Sequence, residues 1–277
     1  MKTIINVFKI EQDHENLSKN RFVRTNAGIM QVEERHKYET LPRNGFSTPV
    51  KPVCLIWDGF RPSDDESQYG YLIPSNMFAV VIMQYMLEII NKHYPNENNL
   101  YNDIKKVRST VDKAIKEYGI VSHEKYGDVY AYEVDGFGNY LLMDDANVPS
   151  LLSAPYLGFC DVNDQVYQNT RRLILSFENP FYYEGEYAKG IGSPHTPENH
   201  IWHISLAIQG LTSTDEKEKA LILHTLKTTD ADTNLMHEGF NVNAPFDFSR
   251  ESFSWANSMF ALYLLHSNGF KLKGQHI

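Results

Sequence analysis

The chain has 277 residues, of which 42% are hydrophobic, so it is long enough to bury the core of one large domain or two ordinary ones. Its formal net charge is −9, from 35 acidic and 26 basic residues. This balance argues against a nucleic acid partner, because binding to a phosphate backbone depends on Lys and Arg. It fits a soluble protein with a neutral ligand.

The cysteines and the first residues of the chain bear on its compartment. Cys54 and Cys160 are the only two cysteines, too few for a secreted fold held by disulfides, and we expect two reduced thiols. We expect no apolar run long enough to span a bilayer. The segment Met1–Ile5 lacks the apolar stretch and the cleavage site of a signal peptide. The sequence therefore predicts a cytoplasmic protein with no membrane partner.

Hydrophobic periodicity predicts a mainly helical chain, with roughly eight helices joined by long loops. A short amphipathic helix over 4–10 comes first, and a long irregular stretch over 25–57 follows. Ser75 and Asn76 are expected to cap the next helix, and Ser213 with Glu216 to form a capping box. The later helices are predicted over 77–92, 99–118, 149–157, 164–176, 201–210, 215–228 and 252–266. A β-hairpin is predicted from 129–134 and 139–143, which flank a turn rich in glycine.

Two segments, 59–66 and 236–243, carry carboxylates among groups that suit sugar chemistry. Hydrolysis of a glycosidic bond needs one carboxylic acid to protonate the leaving oxygen and one carboxylate to activate water or attack carbon. In the first segment Asp64 and Asp65 follow Arg61; one can pair with the Arg, and the other, if desolvated, would have a raised pKa and serve as an acid. In the second, Glu238 lies in a polar loop, where a base stays ionised and reaches water. Taken alone, the first segment is better explained by an Asp-rich turn or helix start with a surface ion pair, and Glu238 by an ordinary loop residue.

A third segment places Asp144, Asp145 and Asn147 after a predicted strand. Carboxylates accept two hydrogen bonds in a fork, so this cluster is suited to holding sugar hydroxyls. Two alternatives remain for it. One is a calcium loop, whose Asp-x-Asp-x-Asp-Gly pattern is absent here. The other is a cap for the helix expected near Pro149.

Histidines and tryptophans provide further candidates. His195, His200 and His203 suggest a zinc site, but their spacing is not His-Glu-x-x-His and no Cys is near, so we expect no metal and no cofactor. A loop fixed by proline is better suited to presenting His195 to a ligand. Trp202 or Trp255 would form an aromatic wall, although the last helix has mostly core-like spacing.

Several motifs resemble, in order, those of glycoside hydrolase family 125. They are Phe60 to Asp65, Tyr69 to Phe78, Asp144 to Phe159, Ala188 to Trp202, His237 to Phe240 and Phe253 to Asn257, and together they cover nearly the whole chain. The resemblance implies a metal-independent, inverting exo-α-1,6-mannosidase that releases mannose from α-1,6-linked mannosides such as N-glycan fragments. It also implies an (α/α)6 barrel, dominated by helices, with long loops and a small β-hairpin.

The resemblance also assigns roles to residues. The general acid is carried over to Asp65, with Asp64 as the alternative, and the general base to Glu238. Inversion implies carboxyl groups about 6.5–9.5 Å apart, to leave room for water. Arg61, Asp144, Asp145, Asn147 and His195 are then expected to hold mannose hydroxyls, beside Trp202 or Trp255.

The chain is shorter than the family pattern, so we expect residues 1–277 to form a single catalytic domain that is the C-terminal portion of the barrel. A barrel of this type needs twelve helices, and the sequence predicts roughly eight. An inactive mannoside-binding remnant of the same fold is the first alternative, and a helical metalloenzyme using the three histidines is the second. No oligomeric state follows from the sequence.

Overall fold

The computed structural model describes residues 1–17 and 41–270. The chain divides into two compact units, of which the first is Met1–Ile120 with Ala131–Leu141 and the second is Val121–Tyr130 with Leu142–Ile277. About half of the predicted irregular stretch over 25–57, the part 25–40, lies outside the described residues. Its remainder, 41–57, carries one short helix and is otherwise irregular.

The first unit is mainly helical. Its helices are α1 (Lys2–Glu11), α2 (His14–Leu17), α3 (Pro42–Gly45), α4 (Ile73–His93) and α5 (Asn98–Tyr118). α4 begins earlier than predicted, because Pro74 occupies its first turn, where a missing N–H costs nothing. Asn76 is therefore not a cap: its side chain bonds the N–H and C=O of Ile56 and the C=O of Leu72, and ties the irregular segment to α4.

α4 packs against α5 and is apolar nearly all round, as expected for a buried helix. The expectation that no run could span a bilayer is wrong, since Ile73–His93 is long and apolar enough by length and composition. However, 61% of an 18-residue window of this helix is buried inside the protein, as in the core helix of a globular protein. On α5, Ile104, Val107 and Val111 are buried at helical spacing.

The predicted hairpin is present but shorter than expected. β4 (Glu133–Val134) pairs with β5 (Tyr140–Leu141), and on its other side with β1 (Tyr71–Leu72), in an antiparallel three-stranded sheet. The carboxylate of Asp135 accepts the N–H of Phe137 and closes the turn. Residues 129–130 belong to a different strand, in the second unit.

The second unit mixes helices with small sheets. Its elements are β2 (Ile120–His123, which begins at the last residue of the first unit), β3 (Gly127–Tyr130), α6 (Ala154–Leu157), α7 (Gln165–Ile174), β6 (Tyr182–Glu184), β7 (Lys189–Ile191), β8 (His200–Trp202), α8 (His203–Leu211), α9 (Glu216–Thr228), β9 (Gly239–Asn241), β10 (Ala244–Ser249) and α10 (Ser254–Ser267). β2 pairs with β3, β6 with β7, and β10, β9 and β8 form a three-stranded sheet. The helix predicted over 149–157 is helical only from Ala154, and the helix predicted from Ile201 begins only at His203, after a strand.

α8 is the central helix of this unit, buried along its length and packed against α9 and α10. Gly210 lets α10 approach, since a Cβ there would overlap the ring of Tyr263. The predicted capping box is wrong. Asp215 caps α9 by accepting the N–H of Lys217, and the Ser213 hydroxyl donates to Glu218 instead.

Candidate active site

Glu238 lies immediately before β9, the central strand of the sheet β10-β9-β8. The register pairs the next residue, Gly239, with Trp202 of β8 on one side and with Ser249 of β10 on the other. Glu238 was expected in a loop, and the strands beside it were not predicted from the sequence. The sheet gives the carboxylate a fixed backbone, with one neighbouring strand on each side.

The carboxylate of Glu238 has partners at both oxygens. The Ser249 hydroxyl donates to Oε2 at 3.2 Å, and Arg250 Nε lies 3.3 Å from Oε1. Glu238 is only 5% exposed, whereas the Arg250 side chain is 58% exposed and lies over the ring of Phe253. Neither Ser249 nor Arg250 was a sequence candidate. The strand register beside Gly239 is the signal that would have found them.

Two buried histidines hold the backbone that carries Glu238. The ring of His237 stacks on Phe248 at 3.9 Å, and its nitrogens lie 2.7 Å and 3.2 Å from the carbonyl oxygens of Glu251 and Asp230. The backbone N–H of His237 donates to Nδ1 of His203 at 2.9 Å. Burial, with the nearby His237 ring, lowers the pKa of His203 to about 3, so this ring is neutral at physiological pH.

Aromatic rings continue from the same sheet towards the surface. Trp202 is buried, donates Nε1–H to Thr196 Oγ1 at 3.0 Å and packs edge-on against Phe253. Trp255 lies 5.2 Å from Phe253 and is 56% exposed. His195 is exposed and lies edge-on to Trp202 at 6.3 Å. The structure thus brings His195, Trp202 and Trp255 into the neighbourhood of Glu238, with Trp255 as the open aromatic face.

The segment 144–147 is held inside the second unit. Both oxygens of Asp144 accept backbone N–H groups, from Leu151 at 2.8 Å and Leu152 at 2.9 Å. Burial raises the pKa of Asp144 to about 8, although these two bonds oppose the rise. Asp144 is fully buried, and this geometry favours a role in shaping the loop over contact with a ligand. Asp145 and Asn147 are buried at 1% and 4% exposure.

Arg61 and the two aspartates of its segment lie in the first unit. Arg61 Nε forms a buried ion pair with Glu133 at 2.7 Å, and the second oxygen of Glu133 accepts the Tyr69 N–H at 2.9 Å. The backbone turns tightly, since Arg61 N–H donates to the Asp65 carbonyl at 2.7 Å. Asp64 is exposed at a positive φ of 74°, while Asp65 is partly buried. Glu133, which lies 72 residues from Arg61, was not a sequence candidate.

The zinc alternative has little geometric support. Within 1–17 and 41–270, no group of three or more His, Cys, Asp or Glu side chains is arranged to hold a metal ion. Both ring nitrogens of His203 are occupied by protein groups, and His200 lies against Glu198 and Asp247. His203 is thus a buried, satisfied residue of the site.

With this geometry in hand, comparisons with known proteins identify the family. Residues 1–265 match the family described as metal-independent alpha-mannosidase, GH125. The chain belongs to glycoside hydrolase family 125. The resemblance read from the ordered motifs is thereby confirmed, and so is the assignment to the glycoside hydrolases.

Two similar proteins show the extent of the match. A Streptococcus pneumoniae protein, solved as a non-productive complex with alpha-1,6-mannobiose and described among metal-independent alpha mannosidases that process N-linked glycans, is 46% identical with a TM-score of 0.90. The match covers 98% of this chain and 62% of that chain. The meiotically up-regulated gene 157 protein of Schizosaccharomyces pombe is 44% identical over 82% of this chain and 45% of its own length. The GH125 chain described here thus spans about half to two-thirds of the length of these relatives.

Proposed function

We propose that this GH125 chain acts as an inverting exo-α-1,6-mannosidase, releasing mannose from the non-reducing end of α-1,6-linked mannosides such as N-glycan fragments. The observation that carries the proposal is the setting of Glu238: a nearly buried carboxylate at the end of a sheet, beside Ser249, Arg250 and an exposed Trp255. The 46% identity to a protein bound to alpha-1,6-mannobiose supports the substrate class. We further propose that residues 1–277 form one catalytic domain, part of an (α/α)6 barrel.

In the proposed reaction Asp65 is the general acid and Glu238 the general base. Asp65 donates its proton to the glycosidic oxygen as the bond from that oxygen to the anomeric carbon breaks. Glu238 takes a proton from a water that attacks the same carbon from the opposite face, so the product is β-mannose. The mechanism requires carboxyl groups about 6.5–9.5 Å apart in the substrate complex. Asp65 is preferred to Asp64 because Asp65 is partly buried, whereas Asp64 is exposed on a turn residue with a positive φ of 74°.

The other candidates divide into two roles in this proposal. Asp145, Asn147 and His195 hold the hydroxyls of the mannose, and Trp255 stacks on a sugar ring with its exposed face. Three further residues, Arg61, Asp144 and Trp202, have their polar groups engaged with the protein and act by shaping the site. No step of the reaction needs a metal ion, in keeping with the description of the family.

The test is incubation of the purified chain with α-1,6-mannobiose, followed by proton NMR during the first minutes. Early β-mannose supports the proposal, and early α-mannose keeps the hydrolase but overturns inversion. Binding of the mannobiose without turnover would identify an inactive mannoside-binding protein instead. A parallel incubation with α-1,2-mannobiose tests the linkage, and we expect it to remain intact.

Variants assign the two carboxylates. Glu238→Gln and Asp65→Asn are each expected to lower kcat by about 10²–10⁴-fold. The matched controls are Glu251→Gln and Asp64→Asn, which change exposed carboxylates next to the same segments and are expected to leave kcat within a few-fold of the wild type. A large loss with Asp64→Asn and none with Asp65→Asn would exchange the two aspartates.

A further inference from the structure

His203 lies beside the segment that carries the proposed base. The antiparallel register pairs Ile201 with Phe240 and Trp202 with Gly239, so the next pair along the two chains is His203 and Glu238. At this point β8 ends and α8 begins, with His203 as its first residue. Beyond this point the two chains are no longer paired as strands. A side-chain hydrogen bond joins them instead, since His203 Nδ1 accepts the backbone N–H of His237 at 2.9 Å.

The hydrogen bonds around His203 fix its tautomer. The Thr229 hydroxyl donates its proton to the Thr225 carbonyl at 2.9 Å, so its oxygen faces His203 Nε2, at 3.1 Å, as an acceptor. Nε2 must therefore carry the proton, which leaves Nδ1 as an acceptor. This is the state that the His237 N–H requires. The His237 carbonyl, 3.2 Å from Nδ1, is then a close neighbour and not a bonding partner.

Packing keeps the ring in this place. His203 has no exposed surface, and its ring stacks on Phe240 at 4.5 Å. Phe240 lies in β9, two residues after Glu238. The ring of His203 therefore contacts the chain on both sides of the proposed base: the backbone of His237 before it and the side chain of Phe240 after it. Burial, with the nearby His237 ring, also lowers the pKa of His203 to about 3, which keeps Nδ1 unprotonated at neutral pH.

We propose that His203 is a positioning residue for Glu238: by accepting the His237 N–H, its neutral ring fixes the peptide from which the base carboxylate extends. The inference rests on the proposed role of Glu238 as general base. A base displaced by about 1 Å loses on the order of a hundredfold in rate, because its water no longer lies in line with the reacting carbon. Substrate contacts made elsewhere are untouched, so KM should change little.

Two substitutions separate the hydrogen bond from the packing. His203→Phe keeps a ring on Phe240 but has no acceptor, and it is expected to lower kcat on α-1,6-mannobiose about hundredfold with KM within about threefold. His203→Asn places an amide oxygen near the position of Nδ1, and it is expected to stay within about tenfold of the wild type. His224→Phe, an exposed histidine on α9, is the matched control.

Azide provides a readout that a general loss of structure would not give. The azide anion attacks the anomeric carbon itself while Asp65 protonates the leaving oxygen, so β-mannosyl azide forms and no base is needed. Azide should therefore restore turnover in His203→Phe, as it should in Glu238→Ala. A wild-type kcat in His203→Phe overturns the positioning role, as does a folded His203→Phe that azide fails to rescue while Glu238→Ala is rescued.

Histidine-selective ¹⁵N NMR of the wild-type chain tests the bond without turnover. The expected result is a proton on Nε2 and none on Nδ1 from pH 5 to pH 8, with a scalar coupling between Nδ1 and the His237 amide nitrogen. A proton on Nδ1 overturns the proposal. If the bond is present but the wild type releases no mannose, the proposed function fails and the positioning role of His203 fails with it.

Discussion

Lowering the pH should destabilise this protein in part because His203 is buried, and the substitution His203→Asn should remove that part of the pH dependence. The ring has no exposed surface, and burial lowers its pKa from the ordinary 6.5 to about 3. The native state therefore holds a neutral ring where the unfolded chain would take up a proton below pH 6.5. The stabilising contribution is complete above pH 6.5 and is lost as the pH falls towards 3.

The magnitude follows from the two pKa values. Each pKa unit corresponds to about 1.4 kcal/mol, and pH 5 lies about 1.5 units below the ordinary value of 6.5. The free energy of unfolding should therefore fall by about 2 kcal/mol between neutral pH and pH 5 from this residue alone. His203→Asn cannot take up the proton and should lack this part of the pH dependence, whatever its stability at pH 7.

Urea unfolding at pH 7 and pH 5, for the wild type and for His203→Asn, measures the difference. Other groups titrate in both proteins, so only the difference between the two pH dependences reports His203. His224→Asn, at an exposed position, serves as the control and should behave like the wild type. If the free energy of unfolding fell equally between pH 7 and pH 5 in His203→Asn and in the wild type, the reasoning would be refuted, since burial would then not be what holds the ring neutral.

Three further predictions concern stability and use the same unfolding measurement. Glu133→Gln should cost about 3 kcal/mol, because it leaves Arg61 buried without its anionic partner; a cost below 1 kcal/mol would show that the ion pair is dispensable. Asp144→Asn should cost about 1–3 kcal/mol, since an amide turns a donor towards one of two backbone N–H groups; an unchanged stability would contradict the two-bond geometry. Gly210→Ala should cost about 1–3 kcal/mol, because its Cβ would lie 2.6 Å from the Tyr263 hydroxyl oxygen; a gain from helix propensity alone would show that α10 can move away.

The long helices could be predicted from the sequence, and the short strands could not. α4 and α5 span several turns, so their hydrophobic residues repeat often enough to define a period. β8 and β9 have three residues each, which is too short for an alternation to be recognised. Glu238 was therefore found by its chemistry, and the sheet that holds it was not.

The partners of the candidate residues were also beyond the sequence. Arg61 and Glu133 are 72 residues apart, and nothing local to either one indicates the other. A charged residue in a motif has two possible uses, which are to hold the protein and to contact a ligand. Only the contacts of its polar atoms distinguish them. For Arg61 the contacts lie inside the protein.

The same distinction separates Glu133 from Glu238, both of which are buried. Glu133 is fully buried, and its oxygens lie 2.7 Å from Arg61 Nε and 2.9 Å from the Tyr69 nitrogen, so water could enter only by breaking strong charge-assisted bonds. Glu238 has longer bonds, 3.2 Å to the Ser249 hydroxyl and 3.3 Å to Arg250. Because the Arg250 side chain is 58% exposed, it can move into solvent, and a water can then take its place at Oε1 of the buried Glu238 carboxylate. A base must exchange one partner for a reacting water, and of these two carboxylates only Glu238 has a partner that can be exchanged.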